Sequence, residues 1–171
     1  RIELLSALTS IKHKSAVEAL MFFTRERAPA LRRIVVRALG ESGESAARSG
    51  LMAAMRDSSP EVRFEAVRGF LVSDPAYAVK QFKRALGRLD SGALLAMTTE
   101  FGASFEGYLE IALYSNKVSV QEEAIEALAM LPNKQVAVLK KALAHTNDDD
   151  LRIRLIHRLH QVAGRKVAKE I

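Results

Sequence analysis

Apolar side chains recur along this chain at helical spacing, and the same arrangement returns about every 31 residues. Residues 29–39 match residues 60–70 at a shift of 31: a proline, an aliphatic residue, an arginine, a valine and a large apolar residue coincide. Related segments stand at 120–128 and 151–159, and a degenerate copy covers 93–101. Each copy places apolar residues at i, i+4, i+5 and i+8, which is one face of a helix and not the alternation of a strand.

A second helical pattern fills the space between successive copies, so the repeating unit is a helical hairpin of about 30 residues. One hairpin cannot bury its apolar face alone, but hairpins stacked side by side can. We therefore predict an all-α protein, an α-solenoid of about five to six hairpins forming a single domain over residues 1–171. The predicted helices are 1–10, 14–25, 29–39, 43–56, 60–72, 75–88, 91–101, 104–115, 118–131, 133–145, 149–162 and 164–171.

Residues that begin and end helices stand at these boundaries. A capping side chain precedes a proline in Ser59-Pro60 and again in Asp74-Pro75, which is typical of a helix start. Gly40 follows an apolar run and is predicted to end its helix. Small residues are expected where helices approach closely, namely at Ala38, Gly69 and Ala127.

The segment 55–70, Met-Arg-Asp-Ser-Ser-Pro-Glu-Val-Arg-Phe-Glu-Ala-Val-Arg-Gly-Phe, resembles the HEAT repeat, particularly the short bacterial form also found in phycobilin lyases. That family's pattern is an Asp loop, a Pro, a Val-Arg pair and then Ala-x-x-Ala-Leu. Residues 30–40 resemble it well, whereas 120–128 and 151–159 resemble it in part. The resemblance implies the fold and is nearly silent on function. The repeat positions it assigns are Arg32, Asp57, Pro60, Val62, Arg63 and Ala66.

In such repeats the arginine of the Val-Arg pair commonly bridges to acidic residues of a loop. The resemblance therefore implies a structural pair between Arg63 and Asp57 and, by position, between Arg32 and Glu26. Gln121 stands at the arginine position of a later copy, so a ladder of such pairs is expected to be broken there.

The composition excludes several kinds of structure and chemistry. The 171 residues are 49% hydrophobic and 27% charged, and no apolar run approaches the roughly 18 residues that a membrane span needs. The chain has no cysteine, which excludes disulfides, Cys-ligated metal and a Cys nucleophile. It begins with Arg1 and not Met, so we expect a fragment of a longer protein, with the cytoplasm as the default compartment.

Charge is distributed unevenly along the chain. Residues 1–88 carry 16 Lys/Arg and 9 Asp/Glu, residues 89–150 carry 4 and 10, and residues 151–171 carry 6 and 1. The net charge of +6 therefore hides an acidic segment between two basic ones. Alternating charge of this kind could set the register of a partner along the stack.

No catalytic constellation is evident. The chain lacks a Gly-x-Ser-x-Gly nucleophile motif and a phosphate-cradling glycine loop. His157 and His160 lie one helical turn apart and would need a third ligand from a neighbouring helix to hold a metal. No His-Glu dipeptide matches the di-iron hydroxylases built on HEAT repeats, and the acids of 122–126 are expected on a solvated face. We predict no enzymatic activity, no cofactor, no metal and no small-molecule substrate.

Cations gather on one side of the predicted helix at 75–88, whose buried side is expected at Val79, Phe82 and Leu86. The second helix of each hairpin usually lines the concave surface of HEAT-like stacks, so these cations are expected in an inner groove. On the helix at 133–145, Lys134, Lys141 and His145 share a narrow arc, and Arg48 could extend the row. The cations of the helix at 75–88 are Lys80, Lys83, Arg84 and Arg88.

Three functions fit this pattern. The leading hypothesis is a non-enzymatic scaffold that holds a protein partner along the concave surface. The second is nucleic-acid binding, including resemblance to HEAT-like alkylpurine DNA glycosylases, although Glu106 and Glu110 would interrupt a phosphate track and no Trp offers a stacking platform. The third is a structural spacer within a larger assembly, and the alternative to any binding role is a solvated basic face. The candidate partner-binding residues are Lys80, Lys83, Arg84, Arg88, Glu106, Glu110, Lys134 and Lys141.

Overall fold

The computed structural model describes residues 13–131 and 135–163, and throughout these ranges the regular structure is helical, without a β-strand. The helices group into two compact units, Arg1–Asp90 and Ser91–Ile171. The predicted helices at 1–10 and 164–171 lie outside the described residues. A single domain over the whole chain stays a prediction.

In the first unit, each helix packs against the next one along the chain, and the two helices that carry the Val-Arg copies also pack closely on each other. This is the arrangement of stacked hairpins that the 31-residue repeat predicts. The helices are α1 (Lys14–Phe23), α2 (Pro29–Glu41), α3 (Arg48–Ala54), α4 (Pro60–Ser73) and α5 (Pro75–Ala85), with 3-10 turns at Ser45–Ala47 and Leu86–Arg88.

The second unit repeats the scheme. Its helices are α6 (Ala93–Phe101), α7 (Glu106–Leu113), α8 (Val118–Met130), α9 (Gln135–His145) and α10 (Asp149–Ala163), with a 3-10 turn at Gly102–Phe105. Helices α7 and α8 pack together, as do α9 and α10, while α6, α8 and α10 stack in sequence. The all-α solenoid prediction is confirmed.

Two glycines set the distance between α2 and α4. The sequence predicts that Gly40 ends its helix. In the structure Gly40 instead lies buried inside α2, which continues to Glu41. A Cβ atom on Gly40 would stand 2.4 Å from the Cα of Gly69 in α4, so the two backbones touch where side chains would normally intervene. The left-handed glycine beyond this helix is Gly43, with φ of +69°.

The helix starts follow the sequence in part. The Asp74 carboxylate accepts the N–H of Tyr77 at 3.1 Å, which confirms the predicted cap of α5. Ser59 does not cap α4, because its hydroxyl donates to the Glu61 carboxylate instead. The degenerate copy at α6 has a remote cap: the Leu94 N–H donates to the Glu123 carboxylate of α8 at 2.6 Å. Glu123 therefore lies off the solvated face on which the sequence places it.

A side chain at the Val-Arg position reaches back to the main chain of the preceding loop in four hairpins. In each case the acceptor is the carbonyl six residues earlier, so the donor closes the loop as a hydrogen-bonded turn. The pairs are Arg32 to Glu26 at 2.8 Å, Arg63 to Asp57 at 2.9 Å, Gln121 to Ser115 at 2.8 Å and Arg152 to Thr146 at 3.2 Å.

The carboxylate partners of these arginines differ from the predicted ones. The Asp57 carboxylate binds Arg32 of the preceding hairpin, at 2.7 and 2.8 Å, and not Arg63. Arg63 instead binds the Asp90 carboxylate at 3.1 and 3.3 Å. The pairing is shifted by one hairpin, because the arginine points toward the following loop as well as its own.

The expected break at Gln121 is also corrected. Its amide N–H closes the loop as the arginines do, and its amide oxygen accepts a hydrogen bond from Arg154 of the next hairpin. The position therefore loses its charge and keeps the loop-closing hydrogen bond. Its contact with the next hairpin is of a different kind, because Gln121 accepts from an arginine and does not donate to a carboxylate.

Candidate partner-binding surface

Helix α5 buries a face turned slightly away from the predicted one. Phe82 and Leu86 are buried as expected, but Val79 is 46% exposed. The buried side is completed by Ala78, Gln81 and Ala85. The prediction for Val79 was wrong because small and polar residues, which carry little apolar signal, occupy the rest of the face that meets α4.

The cations of α5 are all exposed. None of the carboxylates in the described ranges pairs with the side chain of Lys80, Lys83 or Arg84. Arg88 stands in the following 3-10 turn, where its main-chain carbonyl accepts from Nε of Arg63 at 2.9 Å. The surface of α5 thus presents a cluster of three unpaired cations, Lys80, Lys83 and Arg84, which we call the α5 cation cluster.

Arg48 does not extend this cluster as a free cation. Its guanidinium pairs with the Asp74 carboxylate and lies over the ring of Tyr77, 4.8 Å from the centroid. Tyr77 in turn contacts Phe70 of α4, with ring centroids 5.6 Å apart. Arg48 therefore holds α3 against the start of α5.

The candidate residues of the second unit are largely engaged with one another. Lys141 of α9 forms a salt bridge with Glu110 of α7 at 2.6 Å, and this hydrogen bond raises the pKa of Lys141. The nearby Glu106 adds to that rise in pKa. The His145 ring donates to the Lys141 main-chain carbonyl at 2.7 Å. Lys134 lies outside the described residues.

The structure contains a groove between α1 and α3 that the sequence did not predict. It encloses about 810 Å³ and is lined by small residues of α3 and by larger side chains of α1. Phe22 stands at this groove with 83% of its surface exposed. The sequence signal for this groove is the run of five apolar residues at 19–23. Five consecutive residues extend around the whole helix, so some of them lie outside its buried face. Its apolar lining is formed by Met21, Phe22, Ala46, Gly50, Ala53 and Ala54.

The two histidines considered for metal binding are exposed on α10. His157 Nδ1 lies 3.4 Å from the side-chain nitrogen of Gln161. Across residues 13–131 and 135–163, no group of three or more His, Cys, Asp or Glu side chains is placed to hold a metal ion. In the same part of the chain, no helix is both long and apolar enough to cross a membrane.

Comparison with known families identifies the repeat. A family model described as HEAT repeats matches residues 1–70 and 23–96, which together cover more than half of the chain. The chain belongs to the HEAT-repeat family. In terms of that family, α2, α4, α6, α8 and α10 are first helices of the repeats, and α1, α3, α5, α7 and α9 are second helices.

A solved structure provides a further comparison for this HEAT-repeat chain. The complex of CpcE and CpcF of phycocyanin lyase from Nostoc sp. PCC7120 is similar at 22% identity and a TM-score of 0.42. The alignment covers 88% of this chain and 66% of that one, so the chain spans slightly less than two thirds of that neighbour. A search of curated proteins gives no significant match.

Proposed function

We propose that this HEAT-repeat protein is a non-enzymatic scaffold that binds a protein partner along its second helices. The α5 cation cluster carries the proposal. Lys80, Lys83 and Arg84 are exposed, and within the described residues no carboxylate neutralises them. An acidic protein surface is the complement of such a cluster.

The helix that carries the cluster is held firmly. Phe82 of α5 is 1% exposed, and the start of the helix is fixed by the Asp74 cap. Cations displayed on a packed helix keep their spacing, so a partner meets a preformed pattern and less order has to be gained on binding.

The salt bridge between Lys141 and Glu110 has a smaller place in this proposal. A partner carboxylate would have to compete with Glu110 for Lys141, at a contact that is already 2.6 Å long. We therefore assign the main electrostatic attraction to α5, with Glu110 and Lys141 serving to fix α7 against α9.

Reversing two charges of the cluster should weaken partner binding. In a Lys80→Glu/Arg84→Glu variant, affinity for an acidic partner is expected to fall at least tenfold at low salt, mainly through slower association. Both side chains are exposed, so the helical circular dichroism and the melting temperature should stay close to wild type. The partner is identified by proximity labelling in the native host, and its affinity is then measured by calorimetry with purified proteins.

The matched control is Arg27→Glu/Arg33→Glu, which makes the same change in net charge at exposed positions away from the second helices. Equal loss of affinity in both variants would show a non-specific charge effect and contradict the site assignment. Labelled duplex DNA is titrated in parallel. Tight binding of DNA that falls steeply with salt and disappears in the Lys80→Glu/Arg84→Glu variant would assign the cluster to nucleic acid instead.

A further inference from the structure

The groove between α1 and α3 lies in the same unit as the α5 cation cluster and offers it an apolar complement. We infer that the partner docks an acidic amphipathic helix here, with an apolar side chain in the groove and carboxylates toward α5. This inference rests on the proposed function, because it specifies which part of a protein partner the second helices bind.

The groove exists because α3 carries small residues where it faces α1. A Cβ atom on Gly50 would stand 2.5 Å from Sδ of Met21, so the Met21 side chain lies directly over the bare backbone of Gly50. Ala53 and Phe22 line the opening, and both are exposed. A volume of about 810 Å³ accommodates one or two apolar side chains with room for their backbone.

Each acid in the lining of the groove is paired with a cation. Of the two acids in its lining, Glu18 pairs with Lys14 at 3.8 Å and Asp57 pairs with Arg32 at 2.7 Å. The lining also includes Arg25, which is exposed and meets no carboxylate of the described residues. An acidic flank of a ligand would therefore meet Arg25, while both described lining carboxylates already have a cationic partner.

An apolar path connects the outer side of α3 with α5. Met52 of α3 is 37% exposed, and its sulfur accepts a contact from the Tyr77 hydroxyl at 3.5 Å. On α5, Lys80 and Arg84 follow Tyr77 by one and two helical turns, so they lie on the same side of the helix. Met52 and Tyr77 thus join α3 to α5, and Lys80 and Arg84 stand on the same side of α5 as Tyr77.

A helix with one apolar stripe and acidic flanks satisfies both parts of this surface at once. Its apolar stripe would cover Phe22 and Met52, which otherwise leave hydrophobic surface in water. A nucleic acid has phosphates for the cations but no aliphatic side chain for the groove. The combination therefore favours an acidic helix of a protein partner over a polynucleotide.

The probe is a synthetic 18-residue peptide with leucines at i, i+3, i+4 and i+7 spacing and glutamates on both flanks, labelled with fluorescein. Fluorescence polarisation at low salt should show saturable binding to the wild-type chain. Phe22→Ala is expected to weaken binding about fivefold to tenfold, and Ala53→Trp, which fills the groove, should weaken it further. The matched control is Val72→Ala, which removes a 44% exposed apolar side chain from the first helix α4 and should change nothing.

The outcomes separate this inference from the proposed function. Unchanged binding in Phe22→Ala, together with loss in Lys80→Glu/Arg84→Glu, would overturn the groove and leave the cation cluster as the binding site. Failure of the wild-type chain to bind the peptide would also overturn the inference, while the partner identified by proximity labelling still tests the scaffold role. If Ala53→Trp does not fold, Phe22→Ala decides, because that ring is already exposed in the folded chain.

Discussion

Replacing Gly40 with alanine is expected to lower the free energy of unfolding of the first unit by about 3 kcal/mol or more. The added methyl carbon would stand 2.4 Å from the Cα of Gly69, and neither atom belongs to a side chain that can rotate away. Helices α2 and α4 would have to separate, which would loosen the packing of the buried residues next to the two glycines, Leu39 and Phe70. Urea unfolding followed by circular dichroism measures the loss.

The control for this prediction is Gly107→Ala in α7, where an added Cβ meets no atom within 4 Å. There the substitution should be neutral or stabilise the chain by up to about 1 kcal/mol, because alanine favours the helix more than glycine does. Similar losses at the two positions would mean that helix separation at Gly40 is not the cause.

Asp57→Asn is expected to cost about 2–3 kcal/mol of stability at neutral pH. The carboxylate accepts two hydrogen bonds from Arg32 and one from the Ser59 N–H at 2.8 Å. Both side chains of the ion pair are largely buried, with exposures of 11% for Arg32 and 13% for Asp57. The variant leaves a guanidinium without its counter-charge in a place that water reaches poorly.

The same pair makes stability depend on pH. The hydrogen bond from Arg32 is the main cause that lowers the pKa of Asp57 in the folded chain, and the Ser59 N–H contributes as well. A lowered pKa gives stability that is fully present above the ordinary aspartate value of about 3.9. That stability is lost as the pH falls through the folded-state pKa, so the difference between wild type and Asp57→Asn should shrink below about pH 4.

Asp90→Asn serves as the matched control, since Asp90 pairs with Arg63 in the equivalent position of the next hairpin. The Asp90 side chain is 55% exposed, and its loss should cost less than about 1 kcal/mol. Urea titrations at pH 7 and pH 3 compare the three proteins. If wild type and Asp57→Asn differ in free energy of unfolding by the same amount at both pH values, the stability does not come from the ionised carboxylate.

The helical repeat was predictable because its signal is local. Apolar spacing and the Asp74-Pro75 start depend on residues within one or two turns, and the structure places α5 where they indicate. Gly40 shows the limit of such signals. Glycine after an apolar run favours a helix end, but here the nearest atom is the backbone of Gly69, 29 residues later, and that tertiary contact decides its role.

The candidate surface was only partly predictable for the same reason. Charges on one helix, such as Lys80 and Arg84, can be grouped from their spacing alone, and their exposure follows. The salt bridge of Lys141 with Glu110 and the groove beside Phe22 each need two helices to be positioned. Neither contact has a signature within either helix, so sequence spacing could not separate free cations from paired ones.

The loop-closing hydrogen bonds fix how much chain each of those turns can contain. The donor reaches back the same six residues in four hairpins, whether it is an arginine or Gln121. One added amino acid would move the carbonyl out of reach, so length changes are not tolerated there. Insertions such as epitope tags or cleavage sites belong in a loop without this hydrogen bond, for example at 42–44, where Gly43 already turns the backbone with a positive φ.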